Sequence, residues 1–250
     1  MNKGIIVGCD HNQEWMLSWW WENYTCENKL PVVFADFGMT PVARKWCEER
    51  GEVITIAPLK VTPKEELAQE LVSDWERDFN PTIWQRRAGW FNKPFALLAA
   101  PFEQGLWLDV DCEVLGNLEH IFDYIQPISG IALMAEHEQF QIKYQNAGRH
   151  LPGEVIYNSG VIAYHRNSAL LKKWADNCVL HNHRFVTDQD VLTHLIFTEK
   201  HLIGELPEIY NWFIQLGINI NAKVIHWAGN AKGVIKSHGG FRKMQQELLK

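Results

Sequence analysis

Short apolar runs and longer amphipathic stretches alternate along the first part of the chain. Residues 3–9, 31–37 and 52–57 are short and mainly apolar, which is typical of buried strands, and residues 13–24 and 41–50 carry helical patterns between them. Strands that alternate with helices in this way are typical of a parallel sheet covered by helices. The pattern therefore predicts an α/β fold with a mostly parallel central sheet flanked by helices.

The rest of the chain continues this alternation with one interruption. Further strand patterns fall at residues 105–108, 130–135, 161–165 and 222–227, and further helical patterns at 62–79, 93–100, 118–124, 168–179 and 187–197. The polar run 136–153 lacks periodicity and is long for a loop, which favours a lid or a binding segment. No segment has the composition of a linker, so we expect a single domain over residues 1–250.

One apolar run leads directly into two carboxylates. Residues 105–108 are followed by Asp109 and Asp111. Side chains two residues apart on an extended chain point to the same side, so both carboxylates should face one point, roughly 6 to 7 Å apart along the strand. Two like charges there are costly unless hydrogen bonds or a cation offset them, and a hard divalent metal ion is a candidate. The alternative is a pair of solvated aspartates in a turn.

Composition narrows the class of protein. A net charge of -6 and a pI of about 6.0 argue against a nucleic-acid-binding protein, which would normally carry a concentrated basic face. The five scattered cysteines are expected to be reduced thiols. No apolar run has the length of a signal peptide or a membrane span, so we expect a cytoplasmic protein. Residues 241–250 are either a basic amphipathic helix that touches a membrane surface or an ordinary packed or frayed terminus.

Four separate segments together resemble one known family. They are Leu106-Trp-Leu-Asp109-Val-Asp111, Tyr157-Asn-Ser-Gly-Val161, Asp188-Gln-Asp190 and His226-Trp-Ala-Gly229-Asn-Ala-Lys232. In this order they resemble the retaining glycosyltransferases of the GT-A fold, in particular glycosyltransferase family 8. The resemblance covers the chain from its first strand to near its end. The chain departs from the family after the last lysine, where Gly233 and Val234 replace the common Pro-Trp pair.

The resemblance implies a fold, a reaction and a division of the chain. It implies a Rossmann-like, nucleotide-sugar-binding GT-A fold, with residues 1–115 as the nucleotide-binding half and 116–240 as the acceptor-binding half. The implied reaction moves a hexose from a nucleotide sugar, expected to be a UDP-sugar, to an acceptor with retention of configuration. The sugar stays open, and so does the acceptor, whether carbohydrate, lipid-linked or protein.

The resemblance also implies which residues contact the nucleotide. Gly8, Asp10 and Asn12, at the end of the first strand, are expected to contact the base and the ribose, although Asp10 could instead cap a helix. Arg87 or Lys93 is expected to reach the donor phosphates, and for each the alternative is a solvated cation at a helix end.

A metal ion is expected to hold the diphosphate. Asp109, Asp111 and His226 are the implied ligands of Mn²⁺ or Mg²⁺, and the imidazole favours Mn²⁺. Lys232 would add a positive charge to the leaving phosphate, and the backbone amide of Gly229 could approach it closely because no Cβ intervenes. The alternatives are a histidine satisfied by the backbone and a solvated surface lysine.

Asn158, Asp188 and Gln189 are the implied sugar-binding and reaction centre. Asp188 could also cap its helix, and both roles can coexist. The amide of Gln189 is a poor nucleophile but a good dipole for a developing oxocarbenium ion, which favours attack from the same face as the leaving phosphate. A covalent route, as in retaining glycosidases, stays open.

Three other classes of protein are alternatives to a glycosyltransferase. A haloacid-dehalogenase-like phosphatase also has Asp-x-Asp at a strand end, but near the start of the chain and with a later Gly-Asp-x-x-x-Asp segment, which this sequence lacks. A sugar nucleotidyltransferase would need a Gly-rich loop after the first strand, and this is absent too. A non-catalytic nucleotide-sugar-binding protein has to be distinguished by assay.

Overall fold

A computed structural model describes residues 2–248. The strands are β1 (Lys3–Cys9), β2 (Val32–Asp36), β3 (Glu52–Thr55), β4 (Gln104–Leu108), β5 (Cys112–Val114), β6 (Ile131–Ala135), β7 (Tyr157–His165), β8 (Gly204–Glu205), β9 (Trp212–Phe213) and β10 (Val224–His226). The α-helices are α1 (Leu17–Glu27), α2 (Pro41–Glu48), α3 (Gln69–Phe79), α4 (Ile83–Phe91), α5 (Lys93–Ala99), α6 (Glu138–Asn146), α7 (Ala169–His181), α8 (Asp188–Thr198), α9 (Lys232–His238) and α10 (Phe241–Leu248).

The central sheet has seven strands in the order β3-β2-β1-β4-β7-β6-β8. The pairs of β1 with β2, β1 with β4, β2 with β3 and β6 with β8 are parallel, whereas β7 runs antiparallel to both β4 and β6. The sheet is therefore mostly parallel, and the predicted fold class is confirmed. Because β1 and β4 are parallel neighbours, their carboxyl ends meet at one edge, which is where open α/β sheets bind ligands.

A second, three-stranded sheet brings the last strand to that edge. Its order is β5-β10-β9, and β10 runs antiparallel to β5 with His226 opposite Cys112. Since β5 begins one residue after Asp111, this register places His226 beside the aspartates.

The sheet is buried on both faces. Leu106 and Leu108 of β4 pack into the apolar cluster on one face, and Trp107 packs into the cluster on the other. Alternate side chains of a strand point to opposite faces, so a continuous apolar run is the expected sequence of such a strand.

The expectations were wrong in three segments. Residues 136–153 contain α6 instead of a long loop, and because every residue of α6 keeps part of its surface in solvent, no apolar stripe marks the helix. Residues 62–68 precede α3 and contain only a short 3₁₀ turn, Lys64–Glu66. Residues 157–160 are part of β7, where polar side chains are buried within the sheet.

The C-terminal helix is anchored by a buried carboxylate. Glu113 on β5 accepts hydrogen bonds from the N–H groups of Phe241 (2.7 Å) and Arg242 (2.8 Å) and from Trp227 Nε1 (2.9 Å). Residues 241–248 are thus packed at their amino end, while 249 and 250 lie outside the described residues. Contact with a membrane surface stays a prediction. Within residues 2–248, each helix is too short or too polar to cross a bilayer.

Replacing Glu113 by alanine should loosen this anchor. Glu113→Ala leaves three donors without their partner, and we expect it to lower the free energy of unfolding by about 2–4 kcal/mol, measured by urea denaturation. The exposed Glu119 provides a control, because Glu119→Ala should change stability by no more than about 0.5 kcal/mol. Equal effects of the two substitutions would show that Glu113 does not hold α10.

Candidate active site

A cleft of about 480 Å³ opens at the carboxyl ends of β1 and β4. Eight of the residues predicted from sequence line it: Gly8, Asp10, Asn12, Lys93, Asp109, Asp111, Gly229 and Lys232. The last two come from the C-terminal part of the chain, so the cleft is not confined to residues 1–115. Its aromatic lining includes Trp15, Phe37, Trp90 and Trp107.

Asp10 and Asn12 form a small polar unit on this lining. The carboxylate of Asp10 accepts hydrogen bonds from the backbone N–H (2.9 Å) and the side-chain amide (3.0 Å) of Asn12. The carboxylate therefore serves the loop after β1. Only the backbone carbonyl of Asp10 contributes to the start of the following helix, by accepting from Gln13 and Glu14.

Asp109 and Asp111 converge through a turn and not through an extended strand. The N–H of Cys112 donates to the carbonyl of Asp109 (2.9 Å), which closes a turn between β4 and β5. Both carboxylates nevertheless approach Nε2 of His226, Asp111 Oδ1 at 3.5 Å and Asp109 Oδ2 at 3.9 Å. The expected meeting point exists, but the strand periodicity that predicted it does not produce it.

The proton on His226 can be assigned from a backbone group. The N–H of Gly160 donates to Oδ1 of Asn158 (2.8 Å), and the amide nitrogen of Asn211 donates to the same oxygen (2.8 Å). Oδ1 of Asn211 must then face Nδ1 of His226, 3.0 Å away. Because that oxygen only accepts, Nδ1 carries the proton and Nε2 is left as the atom that faces the carboxylates.

Close packing fixes the plane of this ring. Phe213 stacks on His226 with ring centroids 5.0 Å apart. On another side lies Gly160, where a Cβ atom would be 2.3 Å from Cε1 of His226. Only glycine at position 160 leaves room for the imidazole.

The donor set fits a divalent metal ion. A lone pair on Nε2 that faces two carboxylates requires a cation between them, either a proton or a metal. Burial alone would lower the pKa of His226, but Asp111 and Asp109 outweigh it, so the pKa is raised. Imidazole nitrogen with carboxylate oxygen suits Mn²⁺, whereas Mg²⁺ prefers oxygen alone.

The thiol of Cys112 also lies close to the ligand atoms of Asp111 and His226. Its sulfur lies within 4.8 Å of ligand atoms of Asp111 and His226. Burial raises the pKa of the thiol, which therefore stays protonated, and Sγ faces the carbonyl of Gly160 at 3.8 Å. Hard cations such as Mn²⁺ and Mg²⁺ prefer carboxylate oxygen to sulfur, so the carboxylate and imidazole groups are the better donor set for them.

Two lysines neutralise the aspartates. Nζ of Lys232 lies 2.8 Å from Oδ2 of Asp111, and Nζ of Lys93 lies 3.1 Å from Oδ1 of Asp109 and 3.6 Å from Oδ2 of Asp188. Lys93 also donates to the carbonyl and the hydroxyl of Ser159. Burial would lower the pKa of Lys93, but its carboxylate partners raise it, so the ammonium group is charged within the protein interior.

Arg87 is a structural residue. Its side chain is fully buried and donates to the backbone carbonyls of Thr62, Asn182, Phe185 and Val186. The expectation that Arg87 reaches the donor phosphates is therefore wrong. Its guanidinium group donates to backbone carbonyls, and Arg87 does not line the cleft. The adjacent Arg86 is exposed and lines the cleft instead.

Asn158 and Gln189 meet at a carboxylate that sequence reasoning missed. Oε1 of Gln189 accepts from the N–H of Ser159 (3.0 Å), which directs its amide nitrogen to Oε1 of Glu136 (3.3 Å). The amide nitrogen of Asn158 donates to the same oxygen (2.9 Å). Glu136 is buried, and burial raises its pKa. Its signal in the sequence was an acidic residue directly after a strand, hidden at the start of the run interpreted as a loop.

Asp188 contacts Ser159 and Lys93 and does not cap its helix. The capping box of α8 is made by Thr187 and Asp190. Oδ2 of Asp188 instead accepts from the hydroxyl of Ser159 (3.1 Å), and burial raises the pKa of Asp188 to about 6.

No known family profile and no curated protein matches this sequence. Solved structures of glycosyltransferases do match. Galactosyltransferase LgtC, in complex with donor and acceptor sugar analogs, has a TM-score of 0.63 at 14% identity over 91% of this chain and 87% of its own. Mouse xyloside xylosyltransferase 1 has a TM-score of 0.56 at 16% identity over 93% and 99%.

A third match covers only part of the other protein's chain. The glycosyltransferase GlyE of Streptococcus pneumoniae has a TM-score of 0.59 at 13% identity, and the alignment covers 92% of this chain but 55% of GlyE. At these identities the likeness shows the fold alone. The chain has the GT-A glycosyltransferase fold, as the sequence predicted.

The two adjacent arginines should differ in their effect on stability. Arg87→Ala leaves four backbone carbonyls, two buried and two partly buried, without this donor and should lower the free energy of unfolding by roughly 3 kcal/mol or more, measured by urea denaturation. Arg86→Ala, one residue away on an exposed surface, should change it by no more than about 0.5 kcal/mol. If Arg87→Ala were as mild as Arg86→Ala, the buried hydrogen bonds would not exist.

Proposed function

We propose that this protein is a metal-dependent hexosyltransferase that uses a nucleotide sugar, expected to be a UDP-sugar, and retains the anomeric configuration. The observation that carries the proposal is the convergence of Asp109, Asp111 and Nε2 of His226 beside the cleft at the carboxyl ends of β1 and β4. The GT-A fold supports this proposal and disfavours the alternative of a haloacid-dehalogenase-like phosphatase.

Asp111, His226 and the free oxygen of Asp109 would hold the metal ion. Oδ1 of Asp109 is already occupied by Nε1 of Trp107 (2.6 Å) and by Lys93, so Oδ2 is the atom that can serve as a ligand. Mn²⁺, or Mg²⁺ in its place, would neutralise negative charge on the diphosphate as it leaves.

Cationic side chains complete the proposed diphosphate site. Lys232 and Arg86 both line the cleft. Burial would lower the pKa of Lys232, and Arg86 acts in the same direction, but Asp111 and Asp109 outweigh them and raise the pKa, so Lys232 is charged. Two cations on one cleft favour an anionic ligand between them. When a diphosphate binds, Lys232 can exchange its contact with Asp111 for the phosphate oxygens, and Gly229, at φ +63°, gives the backbone close access.

The other end of the cleft has the chemistry of a nucleoside site. Asp10 and Asn12 provide hydrogen-bonding groups for the ribose and the base, and Phe37 and Trp90 provide aromatic surface. Gly8 forms the floor, where a Cβ atom would lie 2.9 Å from Phe37 and from Trp107.

The reaction centre favours attack from the same face as the leaving group. An inverting enzyme needs a free carboxylate as a general base, whereas Asp188 is tied to Ser159 and Lys93, and Glu136 accepts from two amides. In the proposed reaction the acceptor oxygen bonds to the anomeric carbon as the bond to the phosphate oxygen breaks, and that oxygen takes the acceptor's proton. Gln189, held by Ser159, would turn its amide dipole toward the developing positive charge.

The direct test is metal-dependent binding of a nucleotide. UDP at a hundred times its dissociation constant with Mn²⁺ should stabilise the protein by about 2.7 kcal/mol, or about 5–10 °C in Tm, measured by differential scanning against GDP and ADP. Asp111→Asn and His226→Ala should lose this shift. Asp123→Asn, which removes an exposed carboxylate elsewhere, should keep it. An undiminished shift in excess EDTA would refute the metal role, and absence of binding by every nucleotide and nucleotide sugar would refute the function.

The stereochemistry provides a second test. With an α-linked donor, the first product should be α-linked, because the acceptor attacks from the face that the phosphate leaves. Proton NMR of early product, read from the anomeric coupling constant before mutarotation, measures this outcome. A β-linked product would contradict both the same-face mechanism and the family resemblance.

A further inference from the structure

A buried cluster of charged side chains lies against the first turn of α8, outside the cleft. We call it the His150 cluster; its members are Tyr144, Arg149, His150, Glu154 and Asp190. The side chains of His150, Glu154 and Asp190 are only 2%, 1% and 5% exposed. Charges at this depth are costly unless they compensate one another, so their arrangement calls for a physical reason.

His150 lies between two carboxylates. Its Nδ1 is 3.6 Å from Oε2 of Glu154, and its Nε2 is 3.5 Å from Oδ1 of Asp190. A neutral imidazole would turn an unprotonated nitrogen toward one of these carboxylates, whereas an imidazolium presents an N–H group to each. Burial alone would lower the pKa of His150, but Asp190 and Glu154 outweigh it and raise the pKa to about 9.

The groups around His150 define its electrostatic balance. Tyr144 on α6 lies 6.3 Å away, ring to ring, and His194 on α8 approaches the far oxygen of Glu154 at 3.8 Å. Arg149 acts against a second positive charge, but it is paired with Asp190 and lies 4.0 Å from Asp78 of α3. The two carboxylates nearest to His150, Glu154 and Asp190, therefore have the largest electrostatic effect on the imidazole and favour its protonated form.

Hydrogen bonds hold the two carboxylates of the cluster, and charge attraction holds His150 between them. The N–H of Leu151 donates to Oε2 of Glu154 (2.6 Å), and Arg149 donates to Asp190 (2.8 Å). Within residues 2–248, Nε2 of His150, Oε1 of Glu154 and Nε of Arg149 are buried without a hydrogen-bond partner. Loss of the positive charge on His150 would remove the cation that Glu154 and Asp190 share, which destabilises the cluster locally even though Arg149 still pairs with Asp190.

Asp190 connects the cluster to the proposed reaction centre. Its Oδ2 accepts from the N–H of Thr187 (3.0 Å), and its own N–H donates to the hydroxyl of Thr187 (3.2 Å), which together start α8. Arg149 grips both oxygens of the same carboxylate, at 2.8 and 3.1 Å. Asp188 and Gln189 lie between Thr187 and Asp190, so a shift of this carboxylate moves the turn that carries them.

We propose that Arg149 and protonated His150 are positioning residues that hold Asp190, and through it the first turn of α8, in the orientation that Asp188 and Gln189 need. The proposal rests on the proposed function for the role of those two residues. The protein should therefore lose transfer activity at alkaline pH as His150 loses its proton, while nucleotide binding in the separate cleft is retained.

A first experiment tests the cluster without any substrate. Histidine side-chain NMR on the whole protein should show His150 titrating near pH 9, well above the ordinary value of about 6.5. Because the folded pKa is the higher one, the stabilisation is complete below about pH 6.5 and is lost as the pH rises through about 9. Hydrogen-exchange protection factors of Asp190 and Val191, whose N–H groups donate to Thr187, should fall across the same interval. Titration of His150 at or below its ordinary pKa, or protection that does not change with pH, would overturn the proposal.

A second experiment tests the consequence for transfer. In wild type, kcat should fall as the pH rises through about 9, with the KM for the donor little changed. His150→Gln keeps hydrogen-bonding groups but cannot be charged; its kcat near neutral pH should drop on the order of tenfold, and the inflection near pH 9 should disappear. His194→Gln is the matched control, because His194 contacts Glu154 but not Asp190, and it should keep the wild-type profile.

The two experiments separate the two hypotheses. If His150 titrates as expected and α8 responds, but no nucleotide sugar is ever turned over, the proposed function fails while the physical coupling stands. If transfer occurs and His150→Gln keeps both the kcat and the alkaline inflection of wild type, the positioning role is refuted and the proposed function survives. Should His150→Gln not fold, the NMR titration and hydrogen exchange of wild type still decide whether the coupling exists.

Discussion

The backbone N–H groups of Gly160 and Ser159 determine the direction of the hydrogen bonds around His226 and Glu136. Each fixes the oxygen end of one side-chain amide, in Asn158 and Gln189, and the remaining donors then have only one arrangement. The amide of Asn158 orients the amide of Asn211, which in turn determines which ring nitrogen of His226 carries the proton. Strand β7 therefore decides that Nε2 faces the aspartates. This network of amides is preorganised, because the backbone fixes its direction before any ligand binds.

The site is also close to electrically compensated before any ligand arrives. Lys93 and Lys232 each contact one aspartate of the pair, and the imidazole approaches both. Under the proposed function, a metal ion would therefore compete with a protein cation, and a bound diphosphate would offer Lys232 another partner. Metal and nucleotide would for this reason favour each other's binding through the movement of one side chain.

Local features of the structure could be predicted from the sequence, whereas features that depend on the exact register of a helix or on distant contacts could not. The central sheet and the turn after β1 follow short, ordered patterns. The family resemblance pointed to Asp109, Asp111 and His226, which lie close together in the structure, and their role as metal ligands stays a proposal. Arg86 and Arg87 are adjacent, and with 3.6 residues per helical turn one residue decides which of them faces the cleft. The stretch around them mixes polar and apolar residues too evenly to show that face. Glu136 was missed because its partners are 22 and 53 positions away in sequence.

The contact between Gly160 and the ring of His226 has a consequence for the evolution of this fold. A methyl group at position 160 would overlap the imidazole, so the two positions cannot change independently. Among related chains we expect them to covary: any chain with a larger residue at position 160 should carry a smaller one at 226, together with a different metal-binding group or none. Such a pair would mark, from sequence alone, the branches that lack the proposed ion site.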